Sequence, residues 1–248
     1  MILITNDDGI YSPGLQALWD ALNSFGDIIV VAPSSQKSAT SHAITISKPL
    51  RVRKVKKVNG FSGFAVSGTP ADCTKIAIKS ILNEKPKVLI SGINLGANVG
   101  NNIIYSGTVS AALEGTMLGI PSIAISLDSF ETDRFDLSKK LAREVVDFVL
   151  NKNLPKGTML NVNVPNIDPE NFLGTRITKQ GSQFFNDNFD KRLDPRGQAY
   201  YWMKGKIEDN DKDLVFDGRA ISDGYASITP LGFNMTNQSY MSDLKEEF

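Results

Sequence analysis

Short apolar runs alternate with segments of helical spacing along the first half of the chain. The run at 2–5 predicts a buried strand, and apolar residues at helical spacing follow it between Leu15 and Leu22. The alternation then recurs, with strands predicted at 28–31, 64–66, 88–90 and 123–125 and helices predicted over 73–81, 108–118 and 137–149. Strands that are apolar throughout, with helices between them, indicate a parallel sheet covered on both faces. We therefore expect a Rossmann-like three-layer α/β sandwich with a mostly parallel sheet.

The last third of the chain has a different pattern. Residues 159–164 alternate as a strand does, and residues 225–230 form a further strand candidate. Between them lie turn residues, charges and several aromatic residues, among them Phe184, Phe185 and the run at 200–202. The interpretation is a Rossmann-like core over 1–165, followed by a β-rich C-terminal extension over 166–248 that completes the fold.

Composition excludes several classes of protein. Hydrophobic residues make up 41% and charged residues 22%, which is ordinary globular usage and excludes disorder as the main state. No run approaches the ~20 apolar residues of a membrane span, so we expect no membrane association. Lys+Arg and Asp+Glu both number 27, and this balance argues against a protein that coats a nucleic-acid polymer. The first residues lack a basic region and Cys73 is the one cysteine, so we expect a cytoplasmic protein.

The histidine and cysteine counts restrict the possible metals. A single histidine, His42, and a single cysteine exclude zinc fingers and H-E-x-x-H hydrolases. Any metal site must use mostly oxygen ligands, which favours Mg²⁺, Mn²⁺ or Ca²⁺. Residues 209–213 begin like a calcium loop, but Leu214 and Ala220 replace the required glycine and glutamate, so a solvated acidic turn is preferred.

The sequence Asn6-Asp7-Asp8-Gly9 directly follows the first predicted strand. Parallel sheets bind their ligands beyond the carboxyl ends of the strands, so these residues lie where a site is expected. Because Gly9 lets the chain turn there, both carboxylates can converge on one hard cation. A polar turn without any function explains the same residues equally well.

Two further segments fall at the same edge of the predicted sheet. A glycine-rich loop over 91–102 contains Asn94, Gly96 and Asn98, and its glycines let backbone N–H groups approach a ligand closely. The loop is neither G-x-G-x-x-G nor a Walker sequence, so a dinucleotide site is not supported. The residues Ser106, Gly107 and Thr108 begin a predicted helix whose free N–H groups suit a phosphate, and simple N-capping is the alternative.

The remaining candidates lie between residues 34 and 58. The segment 34–42 supplies hydroxyls, Lys37 and His42, and His42 is a candidate general acid or phosphate ligand. A lone histidine is more often a hydrogen-bonded surface residue. The basic run at 51–58 suits an anionic substrate, but a lysine-rich edge strand that resists aggregation is preferred.

Taken together and in order, these segments resemble the SurE family, the stationary-phase survival proteins that act as metal-dependent 5'/3'-nucleotidases. The resemblance covers nearly the whole chain. It is carried by ILITNDDG at 2–9, VVAPSSQKSAT at 30–40, SGTPADC at 67–73, SGINLGAN at 91–98, YSGTVSAALEG at 105–115, PSIAIS at 121–126, PRGQAYYW at 195–202 and GYASITPL at 224–231. One segment departs from the family, which usually has G-H-S where this chain has Ser41-His42-Ala43.

The resemblance implies a site and an assembly. Asp7, Asp8, Ser38 and Asn94 are expected to bind one divalent cation per subunit, Mg²⁺ or Mn²⁺. Asn98 and the residues 106–108 are expected beside the substrate phosphate. The family also implies a homodimer with exchanged C-terminal elements, with pairing into a tetramer as a further step. The alternative for the C-terminal aromatic residues is that they close the domain's own core.

The hypothesis is a phosphomonoesterase that hydrolyses nucleoside 5'- and 3'-monophosphates by attack of a metal-activated water. The adjacent Asp7 and Asp8 argue against the D-x-D phosphatases, which form an aspartyl-phosphate. Asp8 is the candidate for orienting or deprotonating the water, and Asp7 is mainly a ligand. N–H donors of the glycine-rich loop are expected to face the phosphate, and the base is expected at aromatic residues or loops of the C-terminal part. The rival is a sensing module that binds a nucleotide or a metal without cleavage.

Overall fold

The computed structural model describes residues 1–56, 61–132 and 134–247. Nine strands form one sheet in the order β3-β4-β2-β1-β5-β6-β7-β11-β8, and two more, β9 and β10, form a separate pair. The strands are β1 (Ile2–Thr5), β2 (Ile28–Pro33), β3 (Val52–Lys56), β4 (Ser62–Val66), β5 (Val88–Leu95), β6 (Ser122–Asp128), β7 (Thr158–Pro165), β8 (Thr175–Ile177), β9 (Phe184–Leu193), β10 (Ala199–Glu208) and β11 (Ala226–Gly232). The helices are α1 (Pro13–Leu22), α2 (Pro70–Ile76), α3 (Gly107–Met117), α4 (Asp136–Asn151), α5 (Asp217–Ser222) and α6 (Gln238–Glu247).

The central strands are parallel and are covered on both faces. β1 pairs in parallel with β2 and β5, and β6 continues the parallel order to β7. Within β1, Ile2 and Ile4 pack with α1 and α4 on one face, whereas Leu3 packs with α2 and α3 on the other. This double burial is why the strands are apolar throughout, and it confirms the predicted Rossmann-like α/β fold.

The ends of several elements differ from the prediction. β5 continues to Leu95, so the expected glycine-rich loop begins at Gly96, five residues later than Ser91. The helix expected over 73–81 is α2 followed by a wider π-helical turn at Ala77–Ile81. The basic run contains β3, which pairs antiparallel with β4 at the edge of the sheet, as preferred from the sequence. Lys57 and Val58 of that run lie outside the described residues.

The C-terminal part adds strands to the same sheet. β11 pairs antiparallel with β7, and β8 pairs in parallel with β11. Asp217, at the start of α5, is fully buried and accepts hydrogen bonds from the backbone N–H groups of Gly100, Gly181 and Gly218. Across the described parts of the chain, no helix combines the length and the apolar character that crossing a bilayer demands.

Candidate active site

The turn after β1 is held by the side chain of Asn6. Its amide nitrogen donates to the carbonyl of Gly9 at 3.1 Å and to the hydroxyl of Ser12 at 2.7 Å. Its amide oxygen accepts the N–H of Gly9 at 3.2 Å, and Gly9 adopts a positive φ of 97° that favours glycine. Asn6 therefore fixes the backbone that presents Asp7 and Asp8.

The carboxylate of Asp7 lies against the first turn of α3. The side-chain hydroxyl of Thr108 donates a hydrogen bond to its Oδ1. A Cβ added at Gly107 would lie 2.7 Å from the Cβ of Asp7, so only glycine permits this approach. Burial raises the pKa of Asp7 to about 6, and the neighbouring charge of Asp8 adds to the effect.

The loop after β2 lies beside the two carboxylates. The N–H of Lys37 donates to the carbonyl of Asp7 at 2.7 Å. The side-chain amide of Gln36 donates to the hydroxyl of Ser38 at 2.9 Å and reaches Oδ1 of Asp8 at 3.5 Å. Burial also raises the pKa of Asp8. Ser38 is thereby brought next to the acidic pair.

Asn94 and Asn98 face the same space from the end of β5 and the loop after it. The amide nitrogen of Asn94 donates to the carbonyl of Gly96 at 2.7 Å, so its amide oxygen is the atom that could accept a hydrogen bond or bind a cation. Asn98 is fixed from β7, because Asn163 accepts its N–H at 2.7 Å and Asn161 donates to its carbonyl at 2.8 Å. The polar positions of β7 are thus buried and support the site.

These residues border one cleft of about 410 Å³. It is lined by Asp7, Asp8, Gln36, Ser38, Ala39, Asn94, Leu95, Asn98, Asn102, Tyr105, Ser106 and Phe130. The available donor atoms are carboxylate, carboxamide and hydroxyl oxygens, which suit a hard divalent cation. Among the described residues no group of three or more His, Cys, Asp or Glu is placed to bind a metal. Ser38 and Asn94 add further oxygen atoms to the two carboxylates in this cleft.

The chain matches the family model of "Survival protein SurE" over residues 2–187. The chain belongs to the SurE family. A relative named "5'-nucleotidase SurE" from Heliobacterium modesticaldum is 45% identical over 99% of this chain and 90% of its own length. A second protein of that name, from Syntrophus aciditrophicus, is 46% identical over 98% of this chain and 92% of its own length. The crystal structure of SurE from Aquifex aeolicus superposes with a TM-score of 0.85 at 40% identity and covers 99% of this chain and 98% of that one.

Within this SurE fold, the residues that were expected to bind phosphate differ in what they contact. Ser106 lines the cleft, and its hydroxyl also caps α3 by accepting the N–H of Val109 at 3.1 Å. Gly107 and Thr108 contact Asp7. The N–H groups of Gly96 and Asn98 donate to the carbonyl of Leu127 and to the side chain of Asn163, so any N–H donors that the loop offers to a phosphate come from its other residues. The phosphate contacts of the side chains stay predictions.

His42 lies beside α3. Its Nε2 is 2.9 Å from Oε2 of Glu114, and the ammonium of Lys75 is 2.6 Å from the other carboxylate oxygen. Burial raises the pKa of Glu114, but the hydrogen bonds from His42 and Lys75 outweigh burial and hold that pKa below its usual value. This pairing is the hydrogen-bonded alternative stated above, and the phosphate role of His42 stays a prediction. The sequence analysis did not single out Glu114. The available signal was a charged residue in a helix of otherwise apolar and small residues.

The segment that departs from the family pattern has an unusual backbone. Ser41, at the position where the family has glycine, adopts a positive φ of 53°. Its N–H donates to the carbonyl of Tyr105 at 3.1 Å, and its hydroxyl donates to the carbonyl of Ile104 at 2.8 Å. Ser41 therefore stands in place of the family's glycine and connects the 34–42 loop to the segment before α3 through two hydrogen bonds.

Proposed function

We propose that this protein is a divalent-metal-dependent phosphomonoesterase that hydrolyses nucleoside 5'- and 3'-monophosphates to nucleoside and phosphate. The observation that carries the proposal is the single cleft bordered by Asp7, Asp8, Ser38 and Asn94, with the α3 cap Ser106 beside them. Its relatives' name, "5'-nucleotidase SurE", supports the same reaction.

The residues of the cleft have different roles in the proposed reaction. Asp7, Asp8, Ser38 and Asn94 would hold one Mg²⁺ or Mn²⁺. When bound, such an ion neutralises charge on a phosphate oxygen and acidifies a bound water. Asp8 is the less buried carboxylate and orients or deprotonates the attacking water, whereas Asp7 is turned towards Thr108 and serves mainly as a ligand. Ser106 and the start of α3 receive the phosphate, because a helix N-terminus favours an anion.

Phosphate release from a panel of nucleoside 5'- and 3'-monophosphates tests the proposal. Release that requires Mg²⁺ or Mn²⁺ and stops on addition of a chelator is the expected result. No release with either metal, from protein shown to be folded, would contradict it and would favour a module that binds nucleotide without cleavage.

We further propose that the protein works as a homodimer, with two dimers able to pair. The support comes from the β9–β10 hairpin, whose cross-strand pairs place Phe189 opposite Met203 and Phe185 opposite Ile207. Residues that are directly opposite share one face, so these side chains form an apolar surface, and each is exposed in the single chain. An isolated two-stranded hairpin is marginally stable in water, and a partner covering this face removes the exposure.

The expected compartment is the cytoplasm. Cys73 is buried and unpaired, which is the usual state of a cysteine in a reducing environment.

A further inference from the structure

Two exposed aromatic side chains border the cleft that contains the acidic pair. Tyr105 is 63% exposed and Phe130 is 76% exposed, and both line the same cavity as Asp7 and Asp8. Large aromatic side chains are usually at least partly buried, so two exposed rings at one ligand cleft need an explanation.

The two rings belong to different segments that border the cleft. Tyr105 ends the 3₁₀ segment Gly100–Tyr105 and directly precedes Ser106, and its carbonyl accepts the N–H of Ser41. Phe130 follows β6 and packs over Gly96, where an added Cβ would lie 2.9 Å from the ring. One ring therefore stands beside the α3 cap, and the other stands beside the loop that follows Asn94.

We propose that Tyr105 and Phe130 form the nucleobase subsite of this enzyme and that the base of the substrate stacks on their rings. The inference rests on the proposed function, since it takes the phosphate to bind at Asp7 and Asp8. A nucleoside monophosphate is an anion joined through a sugar to a flat aromatic ring, and the cleft offers partners for both ends. Every base has a π-face, so stacking holds all of them and gives a site that tolerates different bases.

A neighbouring cavity is the competing place for the base. It has a volume of about 420 Å³, shares Asp8 with the first cleft, and is lined by the exposed Tyr11 and by residues near Ser12 and Ser34. Of the proposed cation ligands, only Asp8 borders it, and Ser106 does not. A phosphate seated among all four ligands therefore faces Tyr105 and Phe130 rather than Tyr11.

The proposed base site lies in the core and not in the C-terminal part of the chain. From the sequence, aromatic residues or loops of the C-terminal part were candidates. The aromatic residues that line the cleft, within the described ranges, come from the loops after β5 and β6 in the core.

The test compares two substrates that differ only in the base, adenosine 5'-monophosphate and ribose 5-phosphate. In Tyr105→Leu and Phe130→Leu proteins, the ratio of kcat/KM for the nucleotide to kcat/KM for ribose 5-phosphate should fall about fivefold or more, because that is the lower end of what aromatic stacking contributes per base. Tyr105→Phe keeps the ring and should keep the ratio. Tyr11→Leu is the matched control on the neighbouring cavity and should leave the ratio at the wild-type value.

Adenosine as a competitive inhibitor supplies a second measurement that does not depend on turnover of the base-containing substrate. Its inhibition constant against ribose 5-phosphate should rise in both leucine variants and stay constant in Tyr11→Leu. An unchanged substrate ratio in the two leucine variants, or a ratio that falls only in Tyr11→Leu, overturns the subsite. Wild-type protein that releases phosphate from neither substrate contradicts the proposed function itself, which is a separate outcome.

Discussion

The hydroxyl of Thr108 at the start of α3 donates a hydrogen bond to Oδ1 of Asp7 at the end of β1, across 101 residues of sequence. Both residues are buried, and Gly107 lets the helix approach the carboxylate closely. This contact sets the orientation of Asp7 and joins the proposed phosphate cradle to the proposed cation site.

Replacing Thr108 tests this orientation. Thr108→Val keeps the shape but removes the donor, so we expect kcat to fall by about tenfold, the cost of roughly one hydrogen bond to a charged group. Thr108→Ser restores a hydroxyl and should recover most of the activity. Steady-state kinetics with one nucleotide measure kcat, and melting curves show that the proteins are folded. Equal activity of the valine and serine variants would contradict the role of the hydroxyl.

Replacing either carboxylate of the acidic pair should remove most of the activity. Asp7→Asn and Asp8→Asn each delete a charge that the proposed reaction needs, and we expect losses of about a hundredfold or more. The fold should survive, since a neutral amide replaces a carboxylate that burial already penalises. Phosphate release and thermal melting of the two variants are compared with those of Asp147→Asn, a control variant at an exposed position on α4. Wild-type turnover in both site variants would contradict the site.

Glu114 should make stability depend on pH. Its pKa in the folded protein lies below the ordinary value of 4.5, so its contribution is fully present above that value and is lost as the pH falls through the folded pKa. Glu114→Gln should lower the free energy of unfolding by about 2 kcal/mol at neutral pH. The difference from wild type should shrink as the pH falls through the folded pKa, because the carboxylate then becomes protonated.

Denaturant unfolding across this pH range measures the effect of Glu114. Glu144→Gln is the matched control, because Glu144 forms an exposed pair with Lys140 at 4.0 Å and is expected to contribute less than about 0.5 kcal/mol. A Glu114 effect that stays constant with pH would show that packing, rather than charge, is responsible.

The apolar face of the β9–β10 hairpin should control assembly. Phe189→Asp puts a charge in the middle of this face and should shift the protein towards monomer, because the charge would be buried in the interface. Asn188→Asp places the same charge on the opposite face and should leave the assembly unchanged. Light scattering gives the mass of each protein. A wild-type monomer at working concentration, or equal masses for both variants and wild type, would contradict the proposed dimer.

Ser41 should show two opposing effects on stability. Ser41→Ala keeps the positive φ but loses the hydrogen bond to Ile104, so we expect a loss of about 1 kcal/mol. Ser41→Gly loses the same bond but removes the cost of the left-handed backbone, so it should be more stable than the alanine variant by about 1 kcal/mol. Thermal melting ranks the three proteins. An alanine variant as stable as the glycine variant would mean that the backbone cost is absent.

The core of the fold was predictable because the signals are local. A run such as Ile2–Thr5 must be buried on both faces, and apolar residues at helical spacing must cover it, so the pattern alone predicts the parallel sheet. The same reasoning placed Asp7 and Asp8 at the ligand-binding edge, since the carboxyl ends of parallel strands lie together. The end of β5 was missed because glycine and asparagine are typical of loops and only pairing with β6 keeps residues up to Leu95 in the strand.

The sequence by itself determined the central strands, the helices that cover them and the residues available at the sheet edge. The tertiary structure alone decided how those residues are used. In the folded protein, the N–H groups of Gly96 and Asn98 donate to acceptors within the protein. His42 pairs with Glu114, and Tyr105 and Phe130 line the cleft. The physical reason is that hydrogen-bond partners and cleft walls come from positions far apart in the chain, and periodicity carries no signal about such distant contacts.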